Sequence, residues 1–137
     1  MTGPGDHRRL VERYVEAYVS GDTSQLAEIV AADFVDHSFP HHSGGVEGVG
    51  RAIAVIQAGL AEITCTIEQC VSQADWVAFR VLIAGTHVGE FLGKPPTGNR
   101  LVWAAADFVR VRDGKFSELW SVHDSAAMLV GAGARLI

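Results

Sequence analysis

Basic charge is scarce in this chain of 137 residues: eleven Lys and Arg stand against sixteen Asp and Glu, a net charge of -5. Nucleic-acid binding draws on clustered Lys and Arg, and no such cluster is present, so a nucleic-acid partner is not expected. Long apolar runs are also missing; none approaches the roughly 20 residues that a membrane helix requires, so no membrane partner is expected. The N-terminal stretch Met1 to Tyr14 is charged and has no apolar signal core. Only two cysteines occur, Cys65 and Cys70. Five residues apart on a strand, they should point to opposite faces and not bridge, and no Cys-x-x-Cys motif exists. A reducing cytoplasm is the simplest compartment. Gly-x-Gly-x-x-Gly, a phosphate-binding loop and a Gly-x-Ser-x-Gly elbow are all absent, so nothing calls for a nucleotide or flavin, and no cofactor is expected.

What remains is a chain that is 48% hydrophobic and 20% charged, of a length suited to one domain spanning residues 1–137. Met1 to Gly5 read as a loose tail. Apolar residues at Leu10, Val11, Tyr14, Val15, Tyr18 and Val19 predict a helix over Asp6 to Val19, stopped by Ser20-Gly21. Asp22 with Gln25 resembles a capping box for a short helix through Val30. Asp33 to His37 reads as a strand, Ser38 to Gly45 as a loop, and Val46 to Glu62 as a third helix. Strands follow over Ile63 to Val71 and Trp76 to His87, then a loop over Gly89 to Gly98. Two further strands, Asn99 to Arg112 and Lys115 to His123, flank Asp113-Gly114, a strong hairpin signal. Ser125 to Val130 can form a last helical turn or two. Helices gathered on one side of a curved, mixed, largely antiparallel sheet make an α+β cone, with an apolar cavity between the layers as the expected ligand site.

With Asp113-Gly114 as a two-residue turn, Asp107 should lie opposite Trp120 and Trp103 opposite Asp124. Trp103, Ala105, Asp107 and Val109 would then share one face with Glu118, Trp120, Val122 and Asp124. A carboxylate beside buried aromatic surface is costly unless paired or protonated, which marks this face as a candidate acid–base site. Asp107 is the first candidate. Asp124 could join it, or could simply cap the helix that follows. His123 has the opposite parity and faces away unless a bulge shifts the strand end. Only one of Asp36 and His37 can face inward. His37, His41 and His42 lack the spacing of a strong metal motif, and no metal is expected. Trp103, Trp120 and Phe34 could serve as core or as ligand wall, and Arg80 or Arg100 could pair with Asp107.

Four stretches carry a resemblance over roughly Leu10 to Gly131: Ala32-Asp33-Phe34-Val35-Asp36-His37; Gly44-Gly45-Val46-Glu47-Gly48; the run from Gly85 to Gly98, with Gly85-Thr86-His87-Val88-Gly89 and Gly93-Lys94-Pro95-Pro96-Thr97-Gly98; and the run from Arg110 to Asp124. In these the chain resembles the SnoaL-like polyketide cyclases of the nuclear transport factor 2-like superfamily. The resemblance implies a cone-shaped α+β fold, an apolar cavity, a homodimer, no cofactor, and ring closure by an intramolecular aldol reaction on a small hydrophobic or aromatic substrate. It places the catalytic aspartate on Asp124, in Trp-x-x-x-Asp. It implies a histidine at Asp107, so the aspartate there is a departure, similar to the paired acids of an epoxide-hydrolysing branch in which Arg80 would be the arginine. The expected site is therefore Asp124 and Asp107 for proton transfer, with Trp120, Trp103, His37, Phe34, Glu118 and Arg80 around the substrate. The competing readings are an epoxide hydrolase or isomerase and a non-catalytic binding module.

Overall fold

A computed structural model describes residues 3–135 of the chain. Helix α1 (Pro4–Ser20) starts earlier than the tail reading suggests, because Pro4 sits in its first turn, where a missing N–H costs nothing. Its buried stripe is His7, Leu10, Val11, Tyr14, Val15 and Ala17. Helix α2 (Leu26–Ile29) is a single turn, and Val30 already belongs to strand β1 (Val30–Asp36). The expected capping box does not form; Asp22 Oδ1 instead accepts from Ser24 N at 2.9 Å, while Gln25 bonds Arg13. A 3-10 turn (Pro40–His42) leads to α3 (Val46–Gly59), and residues 60–62, expected in the helix, begin β2 (Leu60–Gln73). Strands β3 (Trp76–His87), β4 (Arg100–Arg112) and β5 (Lys115–His123) follow, then α4 (Ser125–Gly131).

The sheet order is β1-β5-β4-β3-β2, antiparallel throughout except for the parallel β1–β5 pair. The expected α+β architecture is the observed one. Its hairpin turn is Asp113-Gly114, with φ of 52° and 75°. Two consecutive left-handed residues match the twist of the flanking strands, and glycine takes that conformation without strain. The helices cover one face of the sheet, burying Val11, Leu26, Ile29, Phe34, Val49, Ile53, Val77, Val109 and Phe116. A second cluster at the far end joins Leu60, Phe91, Leu101, Trp103 and Met128. Bulges in β2 and β5 alter which side chains face these helices. In β2, Ile67 pairs with Val81 but Gln69 with Arg80, leaving Glu68 unpaired. As a result Cys65 and Cys70 share the inner face, against the expectation of opposite faces; both thiols are free. The bulge in β5 decides the site.

Candidate active site

The β4–β5 ladder starts as expected, with Arg112 opposite Lys115 and Val111 opposite Phe116. It then shifts: Arg110 lies opposite Glu118, leaving Ser117 unpaired, buried, and donating from Oγ to Arg110 O at 3.0 Å. An extra residue in one strand turns every later side chain to the other face. Asp107 therefore stands opposite Ser121, Ala105 opposite His123, and Phe108 opposite Trp120. The expectation that Trp120 and Asp124 join Asp107 is corrected by this one residue. Ser121 and His123 take their places on the inner face. The signal was present in the strand: Phe116 and Leu119 are both buried, and a three-residue spacing on one face of a strand requires a bulge.

Between that face and the helices lies a cavity of about 360 Å³. Its walls are mostly apolar, with Val15, Ala52, Ile56, Phe79, Val81 and Met128 among them. Asp107 and Trp103 line it. Asp107 is 8% exposed. One carboxylate oxygen, Oδ1, accepts a short hydrogen bond from Ser121 Oγ; Oδ2 bonds no described residue. Burial pushes its carboxyl up to about 6, against the pull of the Ser121 hydrogen bond and with a further push from Asp36.

His123 is the second polar group of the cavity, and its ring is fixed by Trp103, whose Nε1–H donates to His123 Nδ1 at 3.1 Å. An indole N–H can only donate, so Nδ1 must carry a lone pair and the proton of the neutral ring sits on Nε2. Burial also pushes the imidazole below its ordinary value, so at neutral pH His123 is an uncharged donor. Tyr14 and Tyr18 lie across the cavity, their hydroxyls 3.3 Å apart. Burial raises both phenols, and both stay protonated. Of the pair at the end of β1, Asp36 faces inward and lines the cavity together with His42.

The other expected site residues lie elsewhere. Asp124 is exposed and caps α4, its Oδ1 accepting from Ala127 N at 3.1 Å. Trp120 is on the outer face of the sheet, with His37 stacked on it at 4.3 Å and Glu118 bonded to His37 Nε2 at 3.1 Å. Arg80 is exposed on the same outer face, bonded to Gln69 at 2.7 Å. It does not reach Asp107. Phe34 is fully buried in the core and is not part of the cavity wall. Tyr14, Tyr18, Asp36, His42, Ser121 and His123 thus replace six of the expected residues. Among the described residues, no group of three or more His, Cys, Asp or Glu is placed to hold a metal. No helix among them is long and apolar enough to cross a membrane.

Fold and site together define a small α+β protein that encloses a carboxylate and a neutral imidazole in a largely apolar pocket. Comparison with known proteins gives that class its family. The profile of the SnoaL-like polyketide cyclases matches residues 8–130, and the chain belongs to that family. It is 28% identical over 113 residues to the aklanonic acid methyl ester cyclase DnrD of Streptomyces peucetius, covering 80% of this chain and 78% of that one. It is equally 28% identical to the nogalonic acid methyl ester cyclase of Streptomyces nogalater, over 76% of this chain and 80% of that one. Among solved structures, TsrD of Streptomyces laurentii superposes with a TM-score of 0.92 at 24% identity, covering 98% and 100% of the two chains. Wild-type IdmH of Streptomyces antibioticus gives 0.79 at 32% identity, over 97% and 100%. The protein is an enzyme of the polyketide cyclase type.

Proposed function

We propose that the cavity closes a ring in the ester of an aromatic polyketide by intramolecular aldol addition, with Asp107 as the base and His123 as the hydrogen-bond donor. The carrying observation is the placement of a buried carboxylate and a neutral N–H donor on one apolar face. They occupy diagonal positions on adjacent strands, which stand about 7–8 Å apart. That span accommodates an α-carbon and a neighbouring carbonyl oxygen between the two groups.

With a value raised to about 6, Asp107 is a stronger base than an ordinary carboxylate yet mostly ionised at pH 7. Its free Oδ2 takes the proton from a carbon flanked by carbonyls. His123 Nε2–H donates to the enolate oxygen, and the apolar walls exclude water that would compete for that bond. The enolate carbon then attacks a ketone of the same molecule, forming the C–C bond, and the resulting alkoxide recovers the proton from Asp107. Nothing is gained or lost, so substrate and product are isomers. Epoxide hydrolysis, in contrast, was expected to need Asp124 and an arginine beside Asp107. Asp124 is outside, and no arginine lines the cavity among the described residues.

The same reading includes a homodimer formed through the outer face. Phe108, Val122, Val102 and Leu82 are exposed there on neighbouring strands, an apolar area that a monomer rarely leaves uncovered. Light scattering should give the mass of two chains, and Phe108→Glu the mass of one. The free thiols accord with a cytoplasmic setting.

The decisive assay is turnover of aklanonic and nogalonic acid methyl esters, followed by chromatography because mass does not change. Asp107→Asn should lower kcat/KM by about 10²–10⁴-fold, the usual contribution of a general base. Glu118→Gln, on the outer face, should leave it unchanged. Retained activity in Asp107→Asn would exclude the assigned base, and no turnover of any polyketide ester by the wild type would exclude ring closure.

A further inference from the structure

The cavity holds two histidines whose neighbours favour the ring proton on opposite nitrogens. His123 is a donor at Nε2, for the reason given above. His42 Nδ1 lies 3.7 Å from Asp36 Oδ2. A carboxylate at that separation attracts an N–H and repels a lone pair, which favours the neutral tautomer of His42 with its proton on Nδ1 and Nε2 as an acceptor. Nε2 bonds no described residue.

The local fold holds this arrangement rigidly. Asp36 is 5% exposed. Its Oδ1 accepts from Ser38 N at 3.0 Å and Phe39 N at 2.9 Å, and its own N–H donates to Ser43 Oγ at 2.8 Å. The His42 ring packs against Phe39, with centroids 5.5 Å apart. Arg51, from α3, donates to His41 O at 2.7 Å and to Ser43 O at 3.5 Å, the carbonyls on either side of His42. Helix α3 comes so close to this turn that a Cβ at Gly48 would collide with His42 O and Ser43 O. The cavity that His42 lines is mostly apolar, with Phe39, Ala52 and Val55 in its wall, so Nε2 is one of few acceptors open to a substrate there.

We infer that His42 determines specificity by accepting a hydrogen bond from a hydroxyl group of the substrate. This rests on the cyclase reading, since aromatic polyketides carry hydroxyls wherever a chain carbonyl has enolised. The groups facing His42 are Asp36 from β1, His41 from its own turn, Arg51 from α3 and His123 from β5. Burial, with His41, holds its imidazole below the ordinary 6.5 despite Asp36. The acceptor is therefore present at neutral pH and is lost as pH falls through that lowered value, when the ring becomes a donor only.

The test compares a hydroxylated ester substrate with its mono-O-methyl ethers, in wild type, His42→Phe and His42→Gln. Wild type should favour the free hydroxyl over one of the ethers by about tenfold in KM, the worth of one such hydrogen bond. His42→Phe should abolish the preference. His42→Gln, whose amide oxygen can accept, should restore part of it. The preference should also fade at acid pH; the ratio between two substrates cancels the ionisation of Asp107, which acts on both. Binding of a hydroxyanthraquinone and its methyl ether, read by fluorescence quenching, checks the same preference without turnover. An equal preference in wild type and His42→Phe, in KM and in binding, overturns the inference while leaving ring closure intact.

Discussion

The two faces of the β4–β5 hairpin carry the same kinds of side chain in opposite surroundings. Inside stand Trp103, His123 and Asp107; outside stand Trp120 and Glu118, joined by His37 from just beyond β1. On the inner face the tryptophan fixes the histidine tautomer through its N–H, and burial moves both titratable groups toward neutrality. On the outer face the tryptophan offers its ring to a stacked histidine, and the carboxylate finds a hydrogen bond to His37 at 3.1 Å and an ion pair with Arg110 at 4.0 Å. An exposed pair of that kind contributes at most about 1 kcal/mol. The residue types alone therefore do not make a site; desolvation does. What separates the two sets is one unpaired residue, Ser117.

The harshest test of that comparison is to put β5 out of step beyond the bulge. One alanine inserted between Glu118 and Leu119 would displace every later pairing by one residue. Trp120 and Val122 would turn into the core face, and Leu119, Ser121 and His123 would turn out. Leu119 is buried in the main core, and Trp120 has no space opposite Asp107, so neither face could pack. Loss of the cooperative unfolding transition and of near-ultraviolet circular dichroism is expected. An insertion variant that keeps a native-like transition would mean the inner face is not set by this register.

Much of the architecture was legible before the structure. The α1 stripe from Leu10 to Val19, the Asp113-Gly114 turn and the bounds of β3 and β5 all follow from local pattern, where side-chain period and turn chemistry agree. The face of each β5 residue was not, because a bulge depends on what two strands bury against each other. Trp120 fitted an uninterrupted alternation well enough to hide the Phe116–Leu119 spacing that contradicts it. The inward turn of Asp36 rests on Ser38, Phe39 and Ser43, and the short α2 on where Val30 meets Phe116. These are contacts that no local period reports. Family resemblance placed the fold and the class of chemistry, but its motif pointed to Asp124, one residue beyond the inward-facing His123.

A smaller effect separates the faces by pH. In the unfolded chain Asp107 ionises near its ordinary 3.8, and in the folded protein near 6. Below the lower value both states hold the proton and the group is neutral to stability. Between the two, only the folded state holds it, so stability falls as pH rises; above about 6 the full cost is present, about 3 kcal/mol. Asp107→Asn removes the charge and keeps the shape. It should be more stable than wild type by up to that amount at pH 7.5 and indistinguishable from it near pH 3.5, in urea denaturation at each pH. Glu118→Gln should shift stability by under about 1 kcal/mol at either pH. Parallel behaviour of the two variants would show that the inner face is wetter than its burial indicates.

The smallest effect concerns Asp124, which sits at the end of the same hairpin but belongs to neither face. Its carboxylate accepts from Ala127 N and closes the first turn of α4. That helix brings Met128 against Leu101 and Trp103, so the cap supports the wall of the cavity without entering it. Asp124→Ala should cost about 1 kcal/mol, a fall in Tm of about 4 °C for a chain of this size, with kcat/KM unchanged. Asp124→Asn should recover most of the loss, since an amide oxygen also caps. The opposite pattern, an unchanged Tm with activity abolished in both variants, would return the proton-transfer role to Asp124 and require β5 to turn its end inward when substrate binds.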